Sequence, residues 1–399
     1  MILKVSLLIV LILTFFTSSI KASTKFWSVQ SVDTMKFSRD ASRAPMSADK
    51  INEEVKRIAD TGATYVAIDT PYDAEFLPRL KEWVTAARNY NLNVWFRGNF
   101  SGWEGWFEYQ KNLTREKHLQ MTKDFILNNT DLFVDDDIFT ACPECENGGP
   151  GDPRATGDTQ GFRKFMIDEY KTTKEAFLSI HKNVISNYDS MNGDVARLIM
   201  DKQTTLTMDG IVTIDHYVAT PQKLISDIDD LAQKSGGKIV LGEYGAPIPD
   251  INGNQTEEEQ NTWLSTTLSQ LTTTPNLIGL NYWTDMGSST SIWNEDGTAR
   301  AAVKGINAFY DPKILNGRVL TDLRDPVSNV TLNYLNKIIK TGNFGAFQIT
   351  YADPNTQINL TTTGYHNKFK IRDIIAHNNF ITVPSNRWVW GLFDFRIWQ

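Results

Sequence analysis

The chain contains little cysteine or histidine and no excess of basic residues. Its 399 residues include 2 cysteines and 5 histidines, and 47 acidic side chains outnumber 40 basic ones, for a formal net charge of -7. Nucleic acids and anionic membranes both bind to basic protein surfaces, so neither is expected as a partner. The composition favours neutral or weakly charged partners.

Long hydrophobic runs are also missing beyond the start of the chain. Residues 1–22 have the pattern of a secretory signal, with Lys4, a short apolar run over Val5–Phe16 and Ala22 as a cleavage position. That run is too short for a secure membrane span, and no later segment approaches 18 apolar residues. We predict a signal peptide over 1–22 and a secreted or cell-surface protein, without stable membrane insertion unless the signal stays uncut.

The two cysteines, Cys142 and Cys145, flank Glu144 in C-x-x-C spacing. A zinc site would need two further ligands, and the histidines lie far away in the sequence, so we expect no metal. A thioredoxin-like role would place the motif at a helix start in a small fold, which does not fit this chain. Either a local disulfide or two buried free thiols remain open.

Strand-like apolar runs alternate eight times with helical stretches between Lys25 and Lys313. This pattern predicts a parallel sheet wrapped by helices, and eight units in about 290 residues predict one α/β domain, a (β/α)8 TIM barrel over residues 23–312. The predicted strands are Phe26–Val32, Ala63–Asp69, Leu92–Arg97, Asp137–Glu144, Val184–Tyr188, Gly210–Tyr217, Lys238–Glu243 and Ile278–Trp283.

Several helix boundaries can be predicted from capping residues. A Ser or Thr before an acidic or proline-led turn is typical of a helix start, and glycine is typical of a helix end. The predicted starts are Ser47, Thr114, Thr220 and Thr256, and the predicted ends are Gly62 and the pair Gly236-Gly237.

Two glutamates stand at predicted strand ends. A strand that buries Ile239 and Leu241 would carry Glu243 on the same face at its carboxyl end, because strand side chains alternate. The fourth strand would end in the same way at Glu144. A lone glutamate at such a position is usually a surface charge. Two of them at the carboxyl-terminal face of one barrel instead match the acid and nucleophile of glycoside hydrolysis.

These segments resemble the retaining glycoside hydrolases of clan A, which carry the acid/base at the end of strand four and the nucleophile at the end of strand seven. Gly242–Gly245 (GEYG) resembles the nucleophile segment and Phe139–Glu144 (FTACPE) the acid/base segment. The resemblance implies that Glu243 is the nucleophile and Glu144 the acid/base, with Glu146 as a rival. The family usually has Asn before the acid/base, where this chain has Pro143.

The resemblance also implies substrate-binding residues. His216 and Tyr217 match the segment in which a phenol orients the nucleophile, and Asn281 and Trp283 match the segment whose Trp forms the sugar-binding floor. A flat aromatic ring buries the apolar face of a pyranose. Three further tryptophans on predicted rim segments could act in the same way or pack in the core: Trp103, Trp106 and Trp293. Trp27, Trp83 and Trp263 are expected in the core.

From Lys313 the pattern changes to short alternating strands with turn residues, which predicts a small all-β sandwich over residues 313–399. The stretch Gly317–Ile375 contains Gly317, Val319 and Asp322 in a G-x-V-x-x-D opening, then Pro326-Val327, Gly345–Phe347 and Gly364-Tyr365. These motifs resemble those of carboxypeptidase regulatory-like domains of transthyretin type, which implies a spacer or an accessory fold, with carbohydrate binding as the alternative. The tail aromatics are predicted to supply a final strand: Trp388, Trp390, Phe393 and Trp398.

Together these features predict a secreted, retaining glycoside hydrolase that acts as a monomer on a poly- or oligosaccharide, without cofactor. Two alternatives remain open. Pro143 and the appended sandwich are compatible with a barrel that binds polysaccharide without cleaving it. A transglycosylase would use the same residues.

Overall fold

A computed structural model describes residues 25–385 and two further short strands, Arg387–Val389 and Phe393–Phe395, which pair antiparallel. The predicted signal peptide and the tail residues Trp390 and Trp398 lie outside the described residues. Within the described part of the chain, no helix combines the length and the hydrophobicity that crossing a bilayer requires.

Eight parallel strands form a ring in the order β4-β3-β2-β1-β8-β7-β6-β5. The ring closes next to β4, where Ile138 pairs with Ile185 and Phe139 N donates to Ile185 O at 2.8 Å. The predicted (β/α)8 barrel is therefore confirmed. Its strands are β1 Val29–Asp33, β2 Tyr65–Ile68, β3 Asn93–Phe96, β4 Ile138–Phe139, β5 Ser190–Asn192, β6 Ile211–Asp215, β7 Lys238–Tyr244 and β8 Leu277–Tyr282.

Helices follow the strands and surround the ring. They are α1 Met35–Ser38, α2 Ala48–Asp60, α3 Leu77–Asn89, α4 Ser101–Glu104, α5 Arg115–Asn128, α6 Pro153–Thr156, α7 Thr159–Ser179, α8 Gly193–Ile199, α9 Lys202–Thr207, α10 Pro221–Ser235, α11 Pro249–Asn252, α12 Glu257–Leu271 and α13 Ala302–Tyr310. All four predicted starts are N-caps whose side chains accept a backbone N–H, and Thr256 forms a full capping box with Glu259. Gly62 and Gly236 have positive φ just after their helices, as predicted.

The fourth and fifth strands differ from the prediction. The fourth ends at Phe139, because Ala141 N donates to the side chain of Asp189 instead of continuing the ladder. The fifth strand starts at Ser190, beyond the predicted Val184–Tyr188, of which only the bridge at Ile185 joins the sheet. The chain after β4 is consequently a loop, and Glu144 does not end a strand.

Two apolar clusters build the barrel. Its interior is filled from the strands by residues such as Val29, Ala67, Trp95 and Val240. A larger cluster lies between the strands and the surrounding helices and includes Trp27, Trp83 and Trp263, as predicted. The interior is therefore solid below the mouth, which leaves the carboxyl-terminal face as the place for a site.

From Lys313 the chain forms two small sheets around their own core, which includes Leu315, Val319, Leu332 and Ile349. The orders are β11-β10-β13-β14 and β12-β9-β15, and the β9–β15 pair is parallel. One helix, α14 Ile371–Ala376, joins this predominantly β unit. The strands are β9 Lys313–Thr321, β10 Thr331–Tyr334, β11 Lys337–Lys340, β12 Ala346–Tyr351, β13 Gln357–Thr362, β14 Tyr365–Lys370 and β15 Phe380–Val383.

Candidate active site

Glu243 faces the barrel mouth for a reason that differs from the predicted alternation. Leu241 packs outward with the helices, whereas Val240 fills the barrel interior. Alternation alone would therefore turn Glu243 outward as well. The register shifts here, because Ile214 pairs with Leu241 but the next residue, Asp215, pairs with Glu243. The extra residue forms a bulge that directs Glu243 inward.

Two donors hold the Glu243 carboxylate, which is 5% exposed. Arg97 Nη2 donates to Oε1 and Tyr217 Oη donates to Oε2, each at 2.7 Å. Both carboxyl oxygens of Glu243 therefore accept a hydrogen bond from a buried donor. The phenol of Tyr217 lies where the resemblance implies it should, and Arg97 is an addition that the sequence did not reveal.

Arg97 is fully buried at the centre of four carboxyl groups. Besides Glu243, its guanidinium lies 3.4 Å from Asp33, 3.7 Å from Asp69 and 3.3 Å from Asp215. One cation cannot compensate four buried negative charges. Burial accordingly raises the pKa of Asp33 to about 6 and of Asp215 to about 8, and it raises the pKa of Asp69 as well. Asp215 therefore keeps its proton at neutral pH.

Glu144 lies in a left-handed turn, with φ 44° and ψ 49°, and not on a strand. Its carboxyl is half-buried, and Asn147 Nδ2 donates to Oε2 at 2.9 Å. Burial, followed by the electrostatic influence of the neighbouring carboxyl groups of Asp215 and Glu243, raises the pKa of Glu144 to about 9. Glu144 is thus a carboxyl that keeps its proton at neutral pH, although the fourth strand ends at Phe139 and does not present it.

The side chain of Glu146, the rival acid, is held by hydrogen bonds from Asn192. Its Oε1 accepts from Asn192 N at 2.7 Å and from Asn192 Nδ2 at 2.9 Å, and the residue is 2% exposed. Burial raises its pKa. Glu144 is influenced by the charge of Glu243 directly, whereas Glu146 is fixed against the end of β5.

Asn281 and His216 both form hydrogen bonds with neighbouring protein groups. Asn281 Nδ2 donates to Asp33 Oδ2 at 2.8 Å and to Gly242 O at 2.9 Å, and the residue is fully buried. His216 Nε2 contacts Asp227 on α10 at 2.8 Å. The burial of Asn281 leaves its side chain no access to a ligand, whereas His216 is half-buried and its role in substrate binding stays a prediction.

Two of the predicted aromatic platforms lie at the mouth. Trp283 is half-buried, and its ring meets the ring of Tyr217 edge to face at a centroid distance of 5.9 Å. Trp283 thus contacts the residue that donates to Glu243. Trp106 is also half-buried, but the guanidinium of Arg39 covers one face of its ring at 4.7 Å.

The other two platforms belong to the core, which corrects their prediction as rim residues. Trp103 is 1% exposed, its ring stacks on Phe165 at 5.2 Å, and its Nε1 donates to Cys145 O at 3.0 Å. Trp293 is 5% exposed and packs in the main apolar cluster. The loops that carry both residues fold back onto the barrel, so a sugar cannot reach either ring.

No family model matches the chain, and no curated protein does. Solved structures do match. A glycoside hydrolase variant of type GH5_18 from Bifidobacterium longum subsp. longum, in complex with Manβ1-4GlcNAc, superposes with a TM-score of 0.54 at 12% identity, over 75% of this chain and 84% of that one. The match shows that this chain shares the barrel fold of that glycoside hydrolase.

Two further similar structures have lower TM-scores. The β-glycosidase BGL167 matches at 0.49 with 14% identity, over 72% of this chain and 96% of that one. A β-glucuronidase from Bacteroides uniformis matches at 0.47 with 12% identity, over 85% of this chain. The chain spans about half the length of the β-glucuronidases it matches, here 44%.

Sequence reasoning missed most of the charged groups of this barrel mouth. Asp33, Asp69 and Arg97 each stand at or just after the end of a strand, which was the signal that could have revealed them. Glu104 lies half-buried on α4, and burial, partly offset by Arg39, raises its pKa to about 7. The barrel mouth therefore contains several carboxyl groups besides the two predicted glutamates.

Proposed function

We propose that the protein is a secreted, retaining glycoside hydrolase, with Glu243 as nucleophile and Glu144 as acid/base. The observation that carries this proposal is the contrast between the two carboxyls. Arg97 and Tyr217 each donate a hydrogen bond to the carboxyl of Glu243, whereas burial raises the pKa of Glu144 to about 9. Paired carboxyls with opposed environments supply the nucleophile and the acid that glycoside cleavage needs.

The reaction would run in two displacements. Glu243 attacks the anomeric carbon, the bond to the leaving oxygen breaks, and Glu144 gives its proton to that oxygen. Glu144, now a carboxylate, then takes a proton from water, whose oxygen attacks the same carbon and releases Glu243. Each step inverts the anomeric centre, so the product keeps the configuration of the substrate.

The electrostatics of the site support the change of role. The negative charge of Glu243 is one of the causes that raise the pKa of Glu144. Once Glu243 is esterified in the covalent intermediate, that charge is gone and the pKa of Glu144 falls. The group is thus an acid in the first step and a better base in the second.

The substrate is proposed to be a poly- or oligosaccharide, with Trp283 as the aromatic floor beside the nucleophile. The test is a screen of the purified protein against a panel of polysaccharides, followed by NMR of the first product formed from any substrate found. A product with retained anomeric configuration is expected, and loss of that activity in Glu243→Gln shows that it belongs to this site. Inversion would refute the two-step mechanism, and activity that survives in Glu243→Gln would refute the assignment of the nucleophile.

A further inference from the structure

A buried polar chain runs from the helix layer to the turn that carries Glu144. It consists of Glu169 on α7, His118 on α5 and Asn99 after β3, all 0% exposed. His118 Nδ1 contacts Glu169 Oε1, and His118 Nε2 lies 2.9 Å from Asn99 Oδ1. Burying three polar side chains costs free energy unless each of them forms hydrogen bonds. The donor and the acceptor of each bond therefore decide what this chain of residues can hold in place.

The direction of the chain is fixed by the backbone. Asn99 Oδ1 also accepts from Phe100 N at 2.7 Å, so a flipped amide would place its NH2 group against another donor. Because Oδ1 can only accept, His118 Nε2 must donate to it. The amide nitrogen of Asn99 is thereby turned toward the barrel mouth, where it lies 3.4 Å from Cys142 Sγ and 3.4 Å from Glu104 Oε1.

The other end of the same turn is held by a neighbour of His118. Trp103 packs on the imidazole at a centroid distance of 4.8 Å and donates from Nε1 to Cys145 O at 3.0 Å. Cys142 and Cys145 are joined in a disulfide with a Cα distance of 5.2 Å. Both ends of the turn that holds Glu144 are therefore bonded to residues that contact His118.

Glu144 needs such support because its backbone has a left-handed conformation. A non-glycine residue at φ 44° is strained and persists only where its surroundings hold it. The strand that would otherwise present it ends at Phe139. The geometry points to a positioning role: the chain Glu169–His118–Asn99, with Trp103, holds the disulfide turn so that the carboxyl of Glu144 faces the reacting oxygen. This inference rests on the proposed function of Glu144.

The experiment separates positioning from folding by its dependence on the leaving group. His118→Ala removes the centre of the chain, and Asn99→Asp keeps the shape but replaces the donor to Cys142 by an acceptor. Tyr170→Phe is the matched control, because Tyr170 follows Glu169 on α7 but bonds to Asp209 and Lys174, away from the mouth. Phenyl and 2,4-dinitrophenyl glycosides of the sugar that the wild type releases are the probes.

Phenol needs a proton to leave and dinitrophenol does not, so a displaced Glu144 should lower kcat/KM, which reports the first displacement, only for the phenyl glycoside. We expect kcat/KM for the phenyl glycoside to fall at least about tenfold in both chain variants, since a 1 Å misplacement can cost about a hundredfold. The dinitrophenyl glycoside should stay within about twofold of wild type, and Tyr170→Phe should leave both unchanged. An equal loss on both probes, or no loss on either, would overturn the inference.

Two further measurements distinguish a failure of the positioning role from a failure of the acid/base assignment. If Glu144→Ala itself shows no leaving-group dependence, the acid/base assignment fails whatever the chain variants do. If Glu144→Ala shows it and the chain variants do not, only the positioning role fails. A crystal structure of Asn99→Asp needs no substrate: a Glu144 carboxyl displaced by about 1 Å is expected, and an unmoved one would overturn the inference.

Discussion

Asp215 should make the protein less stable as the pH rises, and Asp215→Asn should remove much of that loss. The carboxyl is 2% exposed and its pKa is raised from 3.8 to about 8, mainly by burial. In the unfolded chain it ionises near its ordinary pKa. Between these two values the folded protein holds a proton that the unfolded chain has lost, so the free energy of unfolding falls with rising pH.

The size of the effect follows from the difference in pKa. Each pH unit inside the window costs about 1.4 kcal/mol, so between pH 4 and pH 7 the wild type should lose about 4 kcal/mol through this group alone. The amide introduced by Asp215→Asn cannot ionise and avoids that loss. It adds a constant cost of about 1–3 kcal/mol, because an NH2 group would replace Oδ1, which has no hydrogen-bond partner.

Thermal unfolding from pH 4 to pH 7 compares the pH dependence of stability in wild type and Asp215→Asn. The absolute free energy of unfolding is not needed for this comparison. The melting temperature of Asp215→Asn should rise relative to wild type as the pH increases, whatever the offset at pH 4. Asp229→Asn, which changes an exposed carboxyl on α10, serves as the control and should follow the wild type. Parallel curves for wild type and Asp215→Asn would refute the claim that Asp215 is buried with its proton.

Three other predictions concern catalysis and the C-terminal unit. Glu243→Gln should abolish nearly all turnover while substrate binding by calorimetry persists, because the lost interaction belongs to the covalent step; full activity would refute its role. Glu144→Ala should spare substrates with very good leaving groups and regain turnover with azide, whereas wild-type rates on natural polysaccharide would contradict the assignment. Truncation after Asp311 should leave activity unchanged on soluble and insoluble substrates alike if the unit is a spacer; a loss confined to insoluble polymer would indicate a binding module instead.

The sequence was sufficient for the barrel because its signals are local and repeated. Capping side chains such as Thr256 act within one turn of their own helix, and apolar runs mark strands wherever they pair. It also located Glu243 and Glu144 at the mouth. The predicted topology was correct, but the predicted strand alternation does not explain either position. Glu243 faces inward because of a bulge, and Glu144 lies in a left-handed turn.

The residues that sequence reasoning missed or misplaced depend on long-range contacts. Arg97 gains its role only when the ends of β1, β6 and β7 bring Asp33, Asp215 and Glu243 around it, and no spacing along the chain encodes that meeting. Trp103 was assigned to the rim for a similar reason. Its glycine-bearing loop looks exposed in sequence, but Gly148 and Gly149 pack directly on its ring.

Gly242, which precedes the proposed nucleophile Glu243, leaves no space for a side chain at the centre of the site. A Cβ atom at Gly242 would lie 2.3 Å from Asp215 Oδ1 and 2.9 Å from Arg97 Nη1, so there is no room for even a methyl group. Gly242 is also the extra residue of the bulge. Any side chain here would push the guanidinium away from its carboxyl partners, and because Arg97 also holds Glu243, the displacement would reach the nucleophile. The crowding of charge that tunes this site is thus possible only because one residue beside it has no side chain at all.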